Sequence, residues 1–257
     1  MKIINNTFLS KPRTIAIGDV HGCYDELRIL VDELNLTKVD TLILLGDYID
    51  RGLNSKAVID TIIELKQQCN VVALLGNHEA MMRDSFLEQN AEDRAQKVWA
   101  WYRNGGNLTL DSYMFDHSAL LDVSNVDDLF LPISLKEHLA FINSLPTYHI
   151  TDTHIFVHAT PYPNQPIEDQ LETSLIWRRH SGLDKEFNYS HESGKTIVSG
   201  HTAQQDGLPL ILSEKNIIID SGCVWTGWLT AFDVTNNTYI QASINEVRVL
   251  EGSASKN

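Results

Sequence analysis

Three times within its first 80 residues the chain closes a short apolar run on a glycine followed at once by ionisable side chains. The blocks are GDVHG from Gly18, GDYIDRG from Gly46 and GNHE from Gly76. The apolar runs before them, Arg13 to Ile17, Thr41 to Leu45 and Val71 to Leu75, are separated by helical patterns over Tyr24 to Leu34 and Ser55 to Gln68. A β-α-β-α-β order of this kind demands parallel strands joined by right-handed helical crossovers. In such sheets the strand ends share one rim, and ligands bind there.

From Ala80 to about Leu145 the pattern turns helical, rich in Met, Trp and acids, and is broken by Asn104-Gly105-Gly106. Short β-rich runs follow at Thr147 to Ile150, Thr153 to Val157, Thr196 to Val198, Asn216 to Ile219, Leu229 to Val234, Tyr239 to Ala242 and Glu246 to Leu250. They suggest a second sheet with hairpins, one of which turns through Asn236-Asn237. With 257 residues, 43% of them apolar, the expectation is one α/β domain over 1–257 carrying a helical lid at about 80–145.

The formal net charge of −14 argues against extended contact with a nucleic-acid backbone, which needs a basic stripe. Any phosphate must then be caught by a local positive site. No apolar stretch of about 18 residues points to a membrane span, and Met1 to Ser10 lacks the apolar region of a signal peptide. Cys23, Cys69 and Cys223 are odd in number and widely spaced, so they read as small buried or half-buried residues of a reducing compartment. A cytoplasmic protein is expected, with the monomer favoured, no nucleic-acid or membrane partner, and fraying at the last five residues.

Asp19 and His21 lie just past an apolar strand, at positions i and i+2 that point to one side of an extended chain. Asp47, Asn77, His158 and His201 occupy the same kind of place at four further strand ends. Carboxylate, amide oxygen and imidazole together suit manganese, iron or zinc. Two such ions about 3.5–4 Å apart, bridged by one carboxylate, would leave the site cationic and able to hold a phosphate. His78, next to Asn77, is better placed as a general acid than as a ligand, with Asp50 orienting its other ring nitrogen. Arg51 would fork onto phosphate oxygens. Of Arg178 and Arg179, which alternate in an extended segment, only one would face the site. His117, His138, His149, His154, His180 and His191, without partners at matching spacing, read as surface or packing residues, and Trp99, Trp101 and Tyr102 as the lid's own core.

Taken in order, GDVHG, GDYIDRG, GNHE, VHA and SGHT resemble the phosphoprotein phosphatase family of calcineurin-like metallophosphoesterases, in its bacterial and phage branch. The likeness runs from about Thr14 to Val234 and includes NGG from Asn104 and IDSG before Cys223. It implies two mixed β-sheets packed as a sandwich between helices. It places Asp19, His21, Asp47 and His201 on one side of a pair of divalent ions, most often manganese, and Asp47, Asn77 and His158 on the other. It also implies in-line attack on phosphorus by a metal-bridging hydroxide without a phosphoenzyme, with His78 as acid assisted by Asp50, and Arg51 and Arg179 as phosphate clamps. Thr160 stands where many relatives have glycine, and the C-terminal substrate-groove motif of the eukaryotic protein phosphatases is absent.

The reading that follows is a serine/threonine protein phosphatase acting on phosphoproteins and small phosphate esters. A symmetrical bis(5'-nucleosyl)-tetraphosphatase is the rival, because its metal core sees the same phosphate; the helical lobe offers a second nucleotide only Arg83, Arg94, Lys97 and Arg103. A non-catalytic scaffold is the distant alternative. Specificity is expected to reside in the lid and in the loop from Pro161 to Asp184.

Overall fold

The computed structural model describes residues 11–122, 129–179 and 189–251. His180, the far end of the Pro161 to Asp184 loop, Met1 to Ser10 and the last five residues lie outside the described residues. The chain adopts the two-sheet sandwich that the resemblance implies. The first sheet begins with parallel strands β1 (Thr14–Ile17), β2 (Thr41–Leu44) and β3 (Asn70–Ala73), linked by helices α1 (Tyr24–Leu34) and α2 (Ser55–Leu65). The second sheet contains β4 (Tyr148–Ile150), β5 (His154–Val157), β6 (Thr196–Ser199), β7 (Leu210–Ser213) and β8 (Asn216–Ile218) in the order β4-β5-β6-β8-β7. Among the described residues, five α-helices run between β3 and β4: α3 (Asn77–Leu87), α4 (Ala91–Tyr102), α5 (Gly106–Ser112), α6 (His117–Asp122) and α7 (Ile133–Asn143). Helix α8 (Glu172–Trp177) follows β5, and the short α9 (Cys223–Thr226) follows β8.

One expectation is corrected. The last three strands, β9 (Leu229–Asp233), β10 (Thr238–Ala242) and β11 (Val247–Glu251), do not extend the second sheet. They return to the first, giving the order β11-β10-β9-β1-β2-β3, with β9 antiparallel to β1. The free edge of β1 accepts them because the other edge is already taken by β2. The hairpin between β9 and β10 does turn where its asparagines suggested: Asn237 adopts a positive φ of 53°, and Asp233 accepts the Thr235 and Asn236 amides. Strand β7 was not foreseen, since all four of its residues are only half-buried.

Strand periodicity sorts the core into layers. Ile15 and Ile17 of β1 and Leu42 and Leu44 of β2 face α1, α2 and the helical block, whereas Ala16, Ile43 and Leu45 face the second sheet. There they meet Phe156, Val198, Ile217 and Ile219. On the far side of the second sheet, Ile155, Val157 and Ile197 pack with Leu175 of α8 and Tyr189.

Asp40 ties together the bottom of this arrangement, accepting bonds from the Arg13 backbone and guanidinium and from the Thr37 amide and hydroxyl. Burial raises its pKa, but these donors outweigh it and hold the carboxyl at about 2. A depressed carboxyl contributes stability that is full above its unfolded value and fades as pH falls through the folded one. Asp40→Asn is therefore expected to cost about 2 kcal/mol at neutral pH and to flatten the acid limb of a stability profile, both read by urea titration at several pH values.

Candidate metal centre

All six proposed ligands converge at the rim where the two sheets meet. Asp47 lies at the centre, and its two oxygens face opposite ways. Oδ2 looks toward His21 Nε2 at 3.5 Å and His78 Nε2 at 3.9 Å, while Oδ1 looks toward His158 Nε2 at 3.3 Å. Two groups of ligand atoms result, each mutually within 4.8 Å: His21, Asp47 and His78, and Asp47, His158 and His201. His201 thus gathers with His158, against the expectation that it stands with Asp19 and His21. Its ring turns toward His158, with centroids 5.0 Å apart, because Trp177 O lies 3.1 Å from Nε2 and fixes the ring. Asp19 instead accepts the His201 backbone N–H at 3.1 Å on both oxygens.

Backbone carbonyls set which ring nitrogen is free. His21 Nδ1 donates to Ile49 O and His158 Nδ1 to Leu45 O, both at 2.9 Å, while His201 Nε2 donates to Trp177 O. Each ring is left with one unprotonated nitrogen within 4.8 Å of an Asp47 oxygen. Burial lowers the pKa of all three, to about 3 for His21 and His201, so these nitrogens are neutral and able to ligate. Asn77 Oδ1 lies 3.0 Å from His158 Nε2, and with the ring proton on Nδ1 the two face each other as acceptors, an arrangement that a shared cation would satisfy. Burial and mutual repulsion also raise the pKa of Asp19, of Asp220, to about 6, and of Glu79, to about 8. Such an excess of buried negative charge and aimed lone pairs fits divalent metal.

The backbone is bent to achieve this. Of the eight described non-glycine residues with positive φ, five are His21, Asp47, Asp50, Arg51 and His201. Conformations of this kind cost free energy and persist only where surroundings enforce them. Glu79 is one enforcer: buried in α3, it accepts the amides of Asp47, Tyr48 and Gly76 and so pins the turn after β2 to the turn after β3. Glycine is required at 76 for the same closeness, since a Cβ there would sit 2.3 Å from Asp47 N and Oδ1.

His78 and Asp50 pair as expected, Nδ1 to Oδ2 at 2.6 Å. Burial lowers the His78 pKa, but Asp47, Asp50 and their hydrogen bond outweigh it and the net shift is upward. Two partners of Asp50 escaped the sequence reading. Trp101 Nε1 donates to Oδ2 at 2.8 Å, and the Thr109 hydroxyl to Oδ1 at 2.6 Å, so Trp101 is more than a core residue of the helical block. Arg51 donates to His21 Nε2 and His78 Nε2 at 2.6 and 2.9 Å and lies 5.1 Å from the Trp225 ring centroid.

Above these residues opens a cavity of about 730 Å³, lined by Asp47, Arg51, His78, Arg179, Trp177 and Trp225 among others. Arg179 reaches it; Arg178 does not line it and donates to Thr160 O and Pro161 O while stacking on Tyr162. Arg83, Arg94 and Lys97 are likewise engaged elsewhere, with Glu172, the Glu88 carbonyl and the Glu88 carboxylate. Among the histidines read as surface or packing residues, buried His138 bonds Tyr113 and Asp60, and His191 bonds Ser193.

The model of the calcineurin-like phosphoesterase family matches residues 12–205. The chain belongs to that family. It is 27% identical over 224 residues to serine/threonine-protein phosphatase 2 of Salmonella typhimurium, covering 85% of this chain and 91% of that one. It is 28% identical over 278 residues to the symmetrical bis(5'-nucleosyl)-tetraphosphatase of Cellvibrio japonicus, covering 90% and 98%. Among solved structures, a protein assigned only provisionally as a diadenosine tetraphosphatase superposes with a TM-score of 0.64 at 20% identity, covering 91% of this chain and 95% of that one. A cold-active protein tyrosine phosphatase gives 0.61 at 17%, covering 95% and 80%. This phosphoesterase therefore shares its fold with enzymes of different substrates. No helix among the described residues is long and apolar enough to cross a membrane.

Proposed function

We propose that the chain hydrolyses phosphate monoesters at a dinuclear metal centre, as a serine/threonine protein phosphatase. The observation that carries this reading is Asp47, whose two oxygens each face a separate set of histidine nitrogens. Asp19, His21 and Asp47 would hold one ion, and Asp47, Asn77, His158 and His201 the other; manganese, iron and zinc all suit these donors. Bound there, the ions would supply Lewis acidity toward the phosphoryl oxygens and lower the pKa of the attacking water.

The remaining work falls to side chains. Arg51 and Arg179, which both line the cavity, clamp the phosphate, and an entering dianion draws the Arg51 guanidinium off the two imidazoles. Freed of the guanidinium, His78 Nε2 takes a proton from solvent, faces the leaving oxygen and gives it that proton, while Asp50 accepts from Nδ1 and stabilises the imidazolium. Trp101 and Thr109 fix Asp50 in turn. Trp101→Phe removes a donor and keeps an aromatic ring, so turnover of an alkyl phosphate should fall about tenfold, with a smaller loss on p-nitrophenyl phosphate in parallel steady-state assays.

The rival reading, a symmetrical bis(5'-nucleosyl)-tetraphosphatase, is favoured by a specific observation. Trp177, Trp225 and half-buried Trp228 line the cavity, and the exposed indoles of Trp177 and Trp225 are suited to stack nucleobases. The deciding experiment strips metal with chelator, restores manganese, and compares phosphate release from a phosphopeptide, p-nitrophenyl phosphate and diadenosine tetraphosphate. Fastest release from the phosphopeptide upholds the protein-phosphatase reading. Much faster cleavage of the dinucleotide transfers the chain to the rival, and metal-independent or absent activity on all three removes the catalytic reading.

A further inference from the structure

Cys23 caps the N-terminus of α1 two residues after His21, and Cys223 opens α9 three residues after Asp220. Two hundred positions separate them in the chain. Their sulfurs and a Glu26 carboxylate oxygen nonetheless lie within 4.8 Å of one another. Both thiols are free; Cys23 is half-buried and Cys223 buried, whereas Cys69 sits apart just before β3, where its sulfur faces Leu65 O. We infer that Cys23 and Cys223 form an oxidisable dithiol whose closure to a disulfide disables the adjacent phosphoesterase site.

The chemistry balances with a peroxide as the oxidant. The Cys23 sulfur, the more accessible, attacks the peroxide O–O bond and becomes a sulfenic acid with release of one water. Attack by the Cys223 sulfur on the Cys23 sulfur then forms the S–S bond and expels the hydroxyl as a second water. The proton it needs is the one Cys223 loses, and Glu26 is near enough to relay it. A dithiol reductant reverses the change by exchange.

Closure must draw the sulfurs to about 2.05 Å, and the two ends yield unequally. The Cys23 side is fixed: Gly22 lies so close to Gly52 that a Cβ would meet its backbone at 2.8 Å. The Cys223 side is a four-residue turn between two left-handed glycines, Gly222 and Gly227. That turn carries Trp225, the ring against which Arg51 rests, and its Gly222 N–H holds the Asp220 carboxylate. Pulling α9 toward α1 therefore shifts the support of a phosphate clamp. The consequence for activity rests on the reading of the cavity given above, but formation of the bond does not.

The test exposes manganese-loaded protein to hydrogen peroxide and counts thiols after denaturation. The count should fall from three to one, with a Cys23–Cys223 cross-linked peptide two hydrogens lighter in the mass map. Turnover of p-nitrophenyl phosphate should fall about 10- to 100-fold and return with dithiothreitol. Cys23→Ser, at the half-buried position, and Cys223→Ala, at the buried one, should each keep their activity under the same treatment. Three thiols persisting in the wild type, a bridge that includes Cys69, or equal loss of activity in both variants would overturn the inference. Because the thiol count and the peptide do not depend on any substrate, they separate failure of the dithiol from failure of the functional reading.

Discussion

Asp47→Asn is expected to lower turnover of p-nitrophenyl phosphate by about 1,000-fold or more, since a bridging carboxylate contributes several kcal/mol through the metal pair. Metal content measured after dialysis should fall below two ions per chain. The size of the effect follows from what the residue does on each side. One oxygen faces His21 and His78, the other faces His158, and His78 also donates its backbone N–H to Oδ1. An amide offers one oxygen and no charge, so it can serve only one side and leaves the histidine nitrogens opposite without their anion. Retention of two ions with near-normal turnover would remove Asp47 from the bridging position.

His78→Asn should separate chemistry from metal binding. Metal content is expected to stay near the wild-type value, because carbonyl-anchored His21, His158 and His201 remain in place. Turnover of an alkyl phosphate should fall about 100- to 10,000-fold, the range of general-acid contributions. The loss on p-nitrophenyl phosphate should be far smaller, since its leaving group hardly needs a proton. The pH profile adds a second check: Asp47 and Asp50 raise the His78 pKa, so the wild type should lose activity on poor leaving groups as pH rises through that value, and the variant should lack this limb. Equal losses on both substrates would end the acid assignment.

Much of the centre was legible because the fold delivers ligands in one stereotyped way. A strand that ends in an apolar residue or glycine and is followed by Asp, Asn or His places that residue on the sheet rim, and Asp19, His21, Asn77, His158 and His201 gather around Asp47. Alternation said only that one of Arg178 and Arg179 would face the site; the family resemblance pointed to Arg179, and Arg179 is the one that lines the cavity. The parts that sequence withheld share a different property. Glu79 acts through backbone amides about thirty residues away, and Trp101 and Thr109 act on Asp50 from two separate helices. Neither relation leaves a spacing to read. The side on which His201 stands depends on its ring direction, which Trp177 O determines across the sheet rim. Membership of β9–β11 was hidden for a topological reason, as alternation reveals a strand without revealing which edge will take it.

That edge has a temporal meaning. β1, which carries Asp19 and His21 at its tip, pairs on one side with β2 nearby in the chain and on the other with β9, where Ile15 meets Asp233. During synthesis β1 must stay half-paired until more than two hundred further residues have left the ribosome, and only then can β9 cover it. Contacts of such long range are slow to form. Nascent chains stalled before residue 229 should therefore expose β1 to chaperones and to amide exchange, with protection arriving in a late, single step that coincides with the first appearance of tight metal binding.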